Sequence, residues 1–517
     1  MSLIAFQAAN PDINLTLIAP ELIVGIAGVV IMMDDAFSPR GQRWLTGVLS
    51  LVSLIAAGVA SIWLAVAWPG ARTAFNGMIV LDELRLSFTL IFLLVSILTI
   101  LIAMVWIDIE KLPAGEFHAL LLFATCGMML MASGGDLVIV FLGLEILSIA
   151  TYVLAGFRRT DVRSNESSLK YFILGSFASA FLLYGIALVY GGTATETLPG
   201  TTNITIIAAR LDHSLYPPLI LAGAAMMLIG FGFKIATVPF HVWTPDVYEG
   251  APTPITAFMA AGPKAAGFAS FMRVFLFAFP IATAAASTGG YAHKSWIGAL
   301  AIMAALTMSV GNIVAIVQDN VKRMLAYSSI AHAGYALVGF VAAGAATDPL
   351  QRSATLTAVA FYLLTYAVMN MGAFAIVTLM ARSGDRSTRV DDYNGIGFSS
   401  PVLAFSLSIF LLSLLGMPLT AGFMGKIMVF SAALREGYVW LVVIGVLNSA
   451  VSAYYYLRLI IVMFFRERSA PYAAPRVPVS VAIALVITVA GVFYLGLFPG
   501  RVLSAFSAKP SVSVRVR

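Results

Sequence analysis

The chain has 517 residues, of which 60% are hydrophobic and only 10% charged. A soluble domain carries roughly a quarter charged residues, so a water-soluble globule is excluded. The formal charge of +6 is small for this length and implies no nucleic-acid partner, and the lone Cys126 excludes both an internal disulfide and a cysteine-ligated iron–sulfur cluster. The histidines (His118, His213, His241, His293, His332) show no metal-ligand spacing, and Gly230-Phe231-Gly232 lacks the third glycine of a dinucleotide fingerprint. No cofactor is expected in this chain.

The apolar residues fall in blocks of ~20 or more, the length a helix needs to cross ~30 Å of hydrocarbon. The short alternating segments of a transmembrane barrel are absent. Fourteen spans are expected, at about 15–33, 44–66, 84–106, 117–134, 136–157, 169–190, 217–239, 253–279, 296–317, 323–344, 354–381, 400–434, 438–465 and 478–498. The fold class is an all-α polytopic membrane protein with a single membrane domain. No cleavable signal peptide is expected, because the first residues lack a basic region; the first span inserts the chain. The stretch Asn203 to Leu211 suits a short amphipathic helix lying on the membrane surface.

An even number of spans puts both termini on one side. Loops after odd-numbered spans hold fifteen basic residues, among them Arg40, Lys111, Arg158, Arg163, Lys170, Lys322 and Arg389; loops after even-numbered spans hold six. The positive-inside rule puts the first set in the cytoplasm and both termini in the periplasm, although the basic tail (Arg501, Lys509, Arg515, Arg517) runs against this.

An internal repeat is present. The fifth span ends Tyr152-Val-Leu154-Ala-Gly156-Phe157 and the tenth ends Tyr335-Ala-Leu337-Val-Gly339-Phe340. Both follow an acidic turn (Gly135-Asp136; Asp319-Asn320), and two spans later each half has a helix interrupted by proline, Pro239 and Pro418. An offset of five spans, an odd number, inverts the second unit. Two inverted five-helix repeats, 117–279 and 296–465, are expected after three N-terminal spans (15–106) and before a final span (478–498). Inverted repeats with broken helices place a transport path at the break.

Four charges stand inside spans, where each costs at least ~2.5–3.5 kcal/mol unless it faces a cavity or a partner. Glu145 is too far from either end of its helix to snorkel, and Ser148 and Tyr152 continue its polar face. Lys234 lies five residues before Pro239; Lys264 follows Pro263 in mid-span; Lys426 lies eight residues after Pro418 in a span long enough for two half-helices. Gly422 and Gly425 allow close packing around Lys426. Ser328, Ser329, His332 and Tyr335 share one face of the tenth span, and Tyr366 and Asn370 share one of the eleventh. Burial disfavours a charged lysine and a nearby carboxylate favours it, so lysines set beside a glutamate suit a proton relay. His332 fits either a proton shuttle or a hydrogen-bonded structural histidine.

The segment from Phe233-Lys234 through Pro239-Phe240-His241, Trp243, Pro245-Asp246, Tyr248-Glu249-Gly250 and Pro252-Thr-Pro254 resembles the antiporter-like subunits of respiratory complex I, the proton-translocating NADH:quinone oxidoreductase. Thr256-Ala-Phe258 and Gly262-Pro263-Lys264 look most like its subunit N branch. Lys170-Tyr-Phe-Ile-Leu-Gly175, Lys322-Arg323-Met-Leu-Ala-Tyr327-Ser328-Ser329 and Gly416-Met-Pro418 with Gly425-Lys426 fit the same family, so the resemblance covers roughly 85–465. It implies proton translocation through Glu145 and its coupled Lys234, through the connecting Lys264 and the exit residue Lys426, with Lys170 and His332 as further relay or inlet groups. It also implies coupling to quinone reduction elsewhere in the complex, no redox chemistry in this chain, a bacterial inner-membrane location, and membrane neighbours that include antiporter-like subunit M and small subunit K. Membrane lipids surround such a bundle. Two rivals stay open: a subunit of a multisubunit sodium/proton antiporter, and a non-conducting scaffold whose buried charges hold helices together.

Overall fold

The computed structural model describes residues 13–37, 43–280, 288–381, 384–385, 387–467 and 475–506. Both termini, and Arg40, Arg382, Arg386, Arg468, Lys509, Arg515 and Arg517 from the orientation argument, lie outside the described residues.

The chain begins with α1 (Ala19–Phe37) and α2 (Arg43–Ala67), then a small hairpin of β1 (Arg72–Ala74) and β2 (Ile79–Leu81). Next come α3 (Glu83–Glu110), α4 (Ala114–Ser133), α5 (Leu137–Ala155), α6 (Val162–Gly192), α7 (Ile204–Arg210) and α8 (Pro217–Lys234). They are followed by α9 (Trp243–Gly250), α10 (Thr253–Ala278), α11 (Thr288–Ile316), α12 (Val321–Ala345) and α13 (Pro349–Ala381). The chain closes with α14 (Ile396–Ser399), α15 (Pro401–Leu415), α16 (Ala421–Arg435), α17 (Val439–Phe465), α18 (Val479–Leu497) and α19 (Pro499–Phe506).

Twelve of the described helices are long and apolar enough to cross a membrane. α10 has the length, 26 residues, but its nine Ala and Gly residues, Pro254, Pro263, Lys264 and Arg273 lower its hydropathy. Such a helix offers lipid little apolar surface and belongs inside protein, and every residue of α10 except Phe277 is buried. α15 and α16 are 15 residues each and make one crossing between them, which brings the crossings to fourteen. α7 is the expected short helix: Asn203 caps it through Oδ1, and Ile204 and Ile207 form its buried face. The β1–β2 hairpin has too few residues per strand to show as alternation in the sequence.

α10 and α12 form the centre, while α1 and α2 turn Ile26, Val30, Val52, Ile55 and Val66 outward. Such exposure is stable only against hydrocarbon, which is why the outer helices read as continuous apolar runs. Small residues let backbones approach. A Cβ on Gly127 would stand 2.7 Å from the Gly143 carbonyl of α5, and one on Gly185 would stand 2.7 Å from the Gly223 carbonyl of α8.

α5 and α12 start in the same way. Asp136 Oδ1 accepts the Val138 N–H at 2.9 Å, and Asn320 Oδ1 accepts the Lys322 N–H at 2.9 Å, so each satisfies an orphan donor of its helix. Each cap also forms an isolated backbone bridge with a segment beyond the next helix, Asp136 with Asn203 and Asn320 with Arg389.

Candidate functional site

The first break follows from Pro239. It cannot donate a backbone bond and its ring crowds the carbonyl four residues back, which disfavours helix here. α8 stops at Lys234, five residues short of the proline and of the span end expected from the sequence. Ala236 takes φ 61°, the Val238-Pro239 peptide is cis, and Thr307 Oγ1 of α11 accepts the Val238 N–H at 3.0 Å. Trp243 Nε1 donates to the Phe233 carbonyl (3.0 Å), and its ring stacks on Tyr171 with centroids 4.6 Å apart. Lys234 therefore occupies a helix C-terminus, where the dipole favours a cation. Its Nζ donates to Ser148 Oγ of α5 at 2.8 Å and lies 5.8 Å from the Tyr171 ring centroid. A cleft of about 10 Å³, room for about one water molecule, opens there between Ser148, Tyr152, Ser179 and Lys234.

Glu145 sits one turn before Ser148 on α5, close enough for its charge to act on Lys234. Glu145 Oε1 is buried and has no hydrogen-bond partner among the described residues. Lys234 and Glu145 are thus neighbours without a direct ion pair among the described contacts.

α10 carries the site inward and runs helically through Pro263. Gly267 lies one turn after Lys264, and a Cβ there would stand 2.7 Å from Ile235 Cγ2; the absence of a side chain lets the end of α8, with Lys234, pack against α10. Lys264 Nζ donates to the Ser329 carbonyl of α12 at 2.6 Å and to its Oγ, and stands 6.0 Å from the Tyr366 ring centroid. Beyond Ser329 the polar face of α12 continues. Ser328 Oγ bonds the Tyr456 hydroxyl, Tyr456 lies 3.4 Å from His332 Nε2, and His332 Nδ1 lies 2.7 Å from the Tyr362 hydroxyl. His332 packs on Tyr335 and Tyr366, with centroids 5.6 and 5.0 Å away.

The second break follows from Pro418 in the same way. Leu414 would give its carbonyl to the residue four places on, which is the proline, so that acceptor is orphaned. Gly416 takes φ +97° and Leu419 φ 70°, which ends α15. Lys426 reaches back from α16 to fill the gap. Its Nζ donates to the Leu414 carbonyl (3.2 Å), the Leu415 carbonyl (2.8 Å) and Ser449 Oγ of α17 (2.8 Å), and lies 4.7 Å from the Tyr335 ring centroid. Glycine suits 416 for its positive φ, and a Cβ there would stand 3.3 Å from Lys426 Cδ, a tight contact that the lysine would have to relieve. Gly425 packs α16 on α13, where a Cβ would meet Thr365 Oγ1 at 2.8 Å.

The structure thus gathers Glu145, Lys234, Lys264, His332 and Lys426 into one row across the bundle. Lys170 stands apart, at one end of the bundle. Its Nζ is 2.7 Å from Glu166 and 2.8 Å from Asp246, which also takes Arg323 Nη1 at 2.7 Å. Arg323 continues to Glu249 at 2.9 Å. Burial works against ionisation of Asp246, but the hydrogen bonds from Lys170 and Arg323 outweigh it and hold the carboxyl below its ordinary range. Several row members escaped the sequence reading: Tyr171, Tyr362, Ser449 and Tyr456. Ser449 and Tyr456 were signalled only by polar residues recurring in an apolar run, and nothing marked which core they face.

A helical membrane bundle with two interrupted helices and buried lysines at the breaks defines the antiporter-like class of membrane subunits. The family described as NADH:quinone oxidoreductase/Mrp antiporter matches residues 134–452. The chain is 46% identical to NADH-quinone oxidoreductase subunit N of Trichlorobacter lovleyi over 493 residues, 95% of this chain and 96% of that one. It is 45% identical to subunit N 2 of Koribacter versatilis, over 96% of this chain and 97% of that one. Among solved structures it is similar to a chain of respiratory complex I from Thermus thermophilus with bound aureothin, at TM-score 0.75 and 35% identity, covering 95% of this chain and 99% of that one. A chain of the Mrp complex from a Dietzia species shares the fold, at TM-score 0.79 and 20% identity, covering 96% of this chain and 98% of that one. The chain belongs to the family of NADH-quinone oxidoreductase subunit N. It is a multi-pass membrane protein of a respiratory complex, with bacterial relatives.

Proposed function

We propose that this chain is the proton-translocating subunit N of NADH:quinone oxidoreductase, and that Glu145, Lys234, Lys264, His332 and Lys426 carry or control the proton. The observation that carries the reading is Lys426 folded back onto the carbonyls of Leu414 and Leu415, which Pro418 and the break set free. An ammonium held by carbonyl and hydroxyl oxygens alone, without a carboxylate, is free to release its proton to water when a second charge approaches. Lys264 is held in the same way by Ser329. Hydroxyl and imidazole groups link the two lysines, so a proton has acceptors at each step and the protein needs no cofactor of its own here. Quinone reduction takes place in other subunits and drives the row from a distance. The chain sits in the bacterial inner membrane beside other complex I membrane subunits, with antiporter-like subunit M and small subunit K as neighbours. The paired caps Asp136–Asn203 and Asn320–Arg389 support an inverted repeat, because helices five crossings apart run in opposite directions.

Mild-detergent extraction of the chain should bring down the NADH- and quinone-reactive subunits, and vesicles holding that assembly should acidify on NADH addition. Extraction only with cation-antiporter subunits, and no NADH-driven acidification, would reject the reading.

The proposed orientation has its own test. Ser164, in the loop expected to be cytoplasmic, is buried and donates to the Ala155 carbonyl at 2.8 Å, so a label there would report burial rather than sidedness. Asn165, in the first turn of α6, and Thr197, in the connection after α6, are both exposed, at opposite ends of the helix. In a Cys126→Ser background, a membrane-impermeant thiol reagent on intact cells should label Thr197→Cys and spare Asn165→Cys. The reverse pattern would invert the topology.

A further inference from the structure

A second charged cluster lies at the Lys170 end of the bundle, outside the row described above. Gly384 and Asp385, in the connection after α13, are inserted among the ends of α3, α5, α6, α10 and α12. The Gly384 N–H donates to Glu110 Oε1 and its carbonyl accepts from Arg163 Nη2, both at 2.7 Å. Asp385 is 4% exposed. Its Oδ2 accepts from Arg158 Nη2 (2.7 Å) and Lys322 Nζ (3.2 Å), and its Oδ1 from Thr253 Oγ1 (2.9 Å).

Two buried cations share this carboxylate. Burial alone would raise the Asp385 carboxyl, but the charges of Lys322 and Arg158 outweigh it and hold it below its ordinary range, so it stays ionised. Arg158 does not release its proton at any accessible pH. It also has acids of its own, with Asp161 at 3.7 Å and Glu110 at 3.9 Å. Lys322, fully buried, is the member able to become neutral, and the Arg158–Asp385 pair stays balanced when it does.

Lys322 also points into the bundle. Its Nζ donates to the Ala251 carbonyl at 2.6 Å, at the start of the turn into α10. Seven residues further along the same face of α12, roughly 10 Å away, Ser329 holds Lys264. Polar groups occupy the interval: Thr256 Oγ1 bonds the Tyr248 carbonyl at 2.9 Å, and the Tyr248 side chain interacts with Ser329.

We propose that Lys322 is a further proton-carrying residue, the inlet through which protons from the Lys170 end of the bundle reach Lys264, with Asp385 and Arg158 as its fixed counter-charges. The proposal rests on the proton-translocation reading above. In each transfer the Lys322 ammonium gives one proton towards Lys264, becomes a neutral amine and is reprotonated from water at the bundle end. No other bond changes.

The test uses the whole complex in native membranes, with assembly checked on native gels. Lys322→Met should lower the proton-pumping rate at least about a hundredfold, the low end of what a positioned proton-transfer group contributes. Lys322→Arg should fall with it, because arginine keeps the ion pair and loses the exchange. Lys322→His, which exchanges a proton near neutral pH, should recover part of the rate. An arginine variant pumping at the unmodified rate would make Lys322 a structural cation and overturn the proposal. Equal rates for the methionine and histidine variants at equal assembly, or failure of all three to assemble, would do the same. Lys234→Ala run in parallel separates the two levels: normal pumping there removes the underlying reading, whereas loss of pumping in Lys234→Ala beside unmodified pumping in Lys322→Arg removes only the inlet.

Discussion

Lys234→Ala is expected to abolish proton pumping and strongly slow NADH-driven quinone reduction while the complex still assembles. The lysine ends α8, and its contacts are one hydroxyl, Ser148, and one ring face, Tyr171; the break itself is held by Trp243 and Thr307, which the substitution leaves in place. The expected mechanism is a switch between Lys234 and Glu145. A carboxylate drawn close favours the charged lysine; a carboxylate moved away leaves it desolvated and ready to pass its proton to Lys264. Breaking a buried charge pair costs about 3–5 kcal/mol. Moving one charge through ~150 mV costs about 3.5 kcal/mol, so the switch has the right size. Glu145→Gln should stall the cycle, Glu145→Asp should slow it, and the double variant Glu145→Gln with Lys234→Ala should be no worse than either alone. Additive losses in that cycle would show independent action and remove the switch.

Lys264 should give the second large effect, with a graded outcome. Lys264→Ala removes the only described cation between Lys234 and Lys426 in the row, together with its hydrogen bonds to Ser329, so pumping should be lost. Lys264→Arg keeps the charge beside Tyr366 and His332 but cannot release a proton, so its activity should exceed that of the alanine variant and stay well below the unmodified level. Pumping at the unmodified rate by the arginine variant, measured on reconstituted vesicles, would mean that Lys264 acts by its field alone.

Much of this was legible in the chain. Hydropathy located the crossings, including α10, whose weaker apolar character marks a helix shielded by others rather than one facing lipid. Pro239 and Pro418 marked the two breaks, because each lacks the N–H that a helical turn uses, whereas α10 accommodates Pro263 without a break. The charges were legible for the same kind of reason: an ionised group in hydrocarbon is too costly to be incidental, so Glu145, Lys234, Lys264 and Lys426 stood out without any structure. Lys170 and Lys322 read alike in sequence, each as a basic residue near a helix end. The fold separates them, one half-exposed in a surface network and the other buried against Asp385.

The sequence by itself determined the class of fold, the number of crossings, the places where helices must break and the residues whose charge demands a partner. Each of these follows from local chemistry, namely the period of apolar residues, the missing donor of proline and the cost of a bare charge. The tertiary structure alone decided who the partners are. Lys234 meets Ser148 across 86 positions, Lys264 meets Ser329 across 65, and Asp385 meets Arg158 across 227. Tyrosine, serine and backbone carbonyl are too common in apolar helices to signal such pairings. A side chain's rotation about its helix, and the neighbour it then faces, is set by packing over the whole bundle.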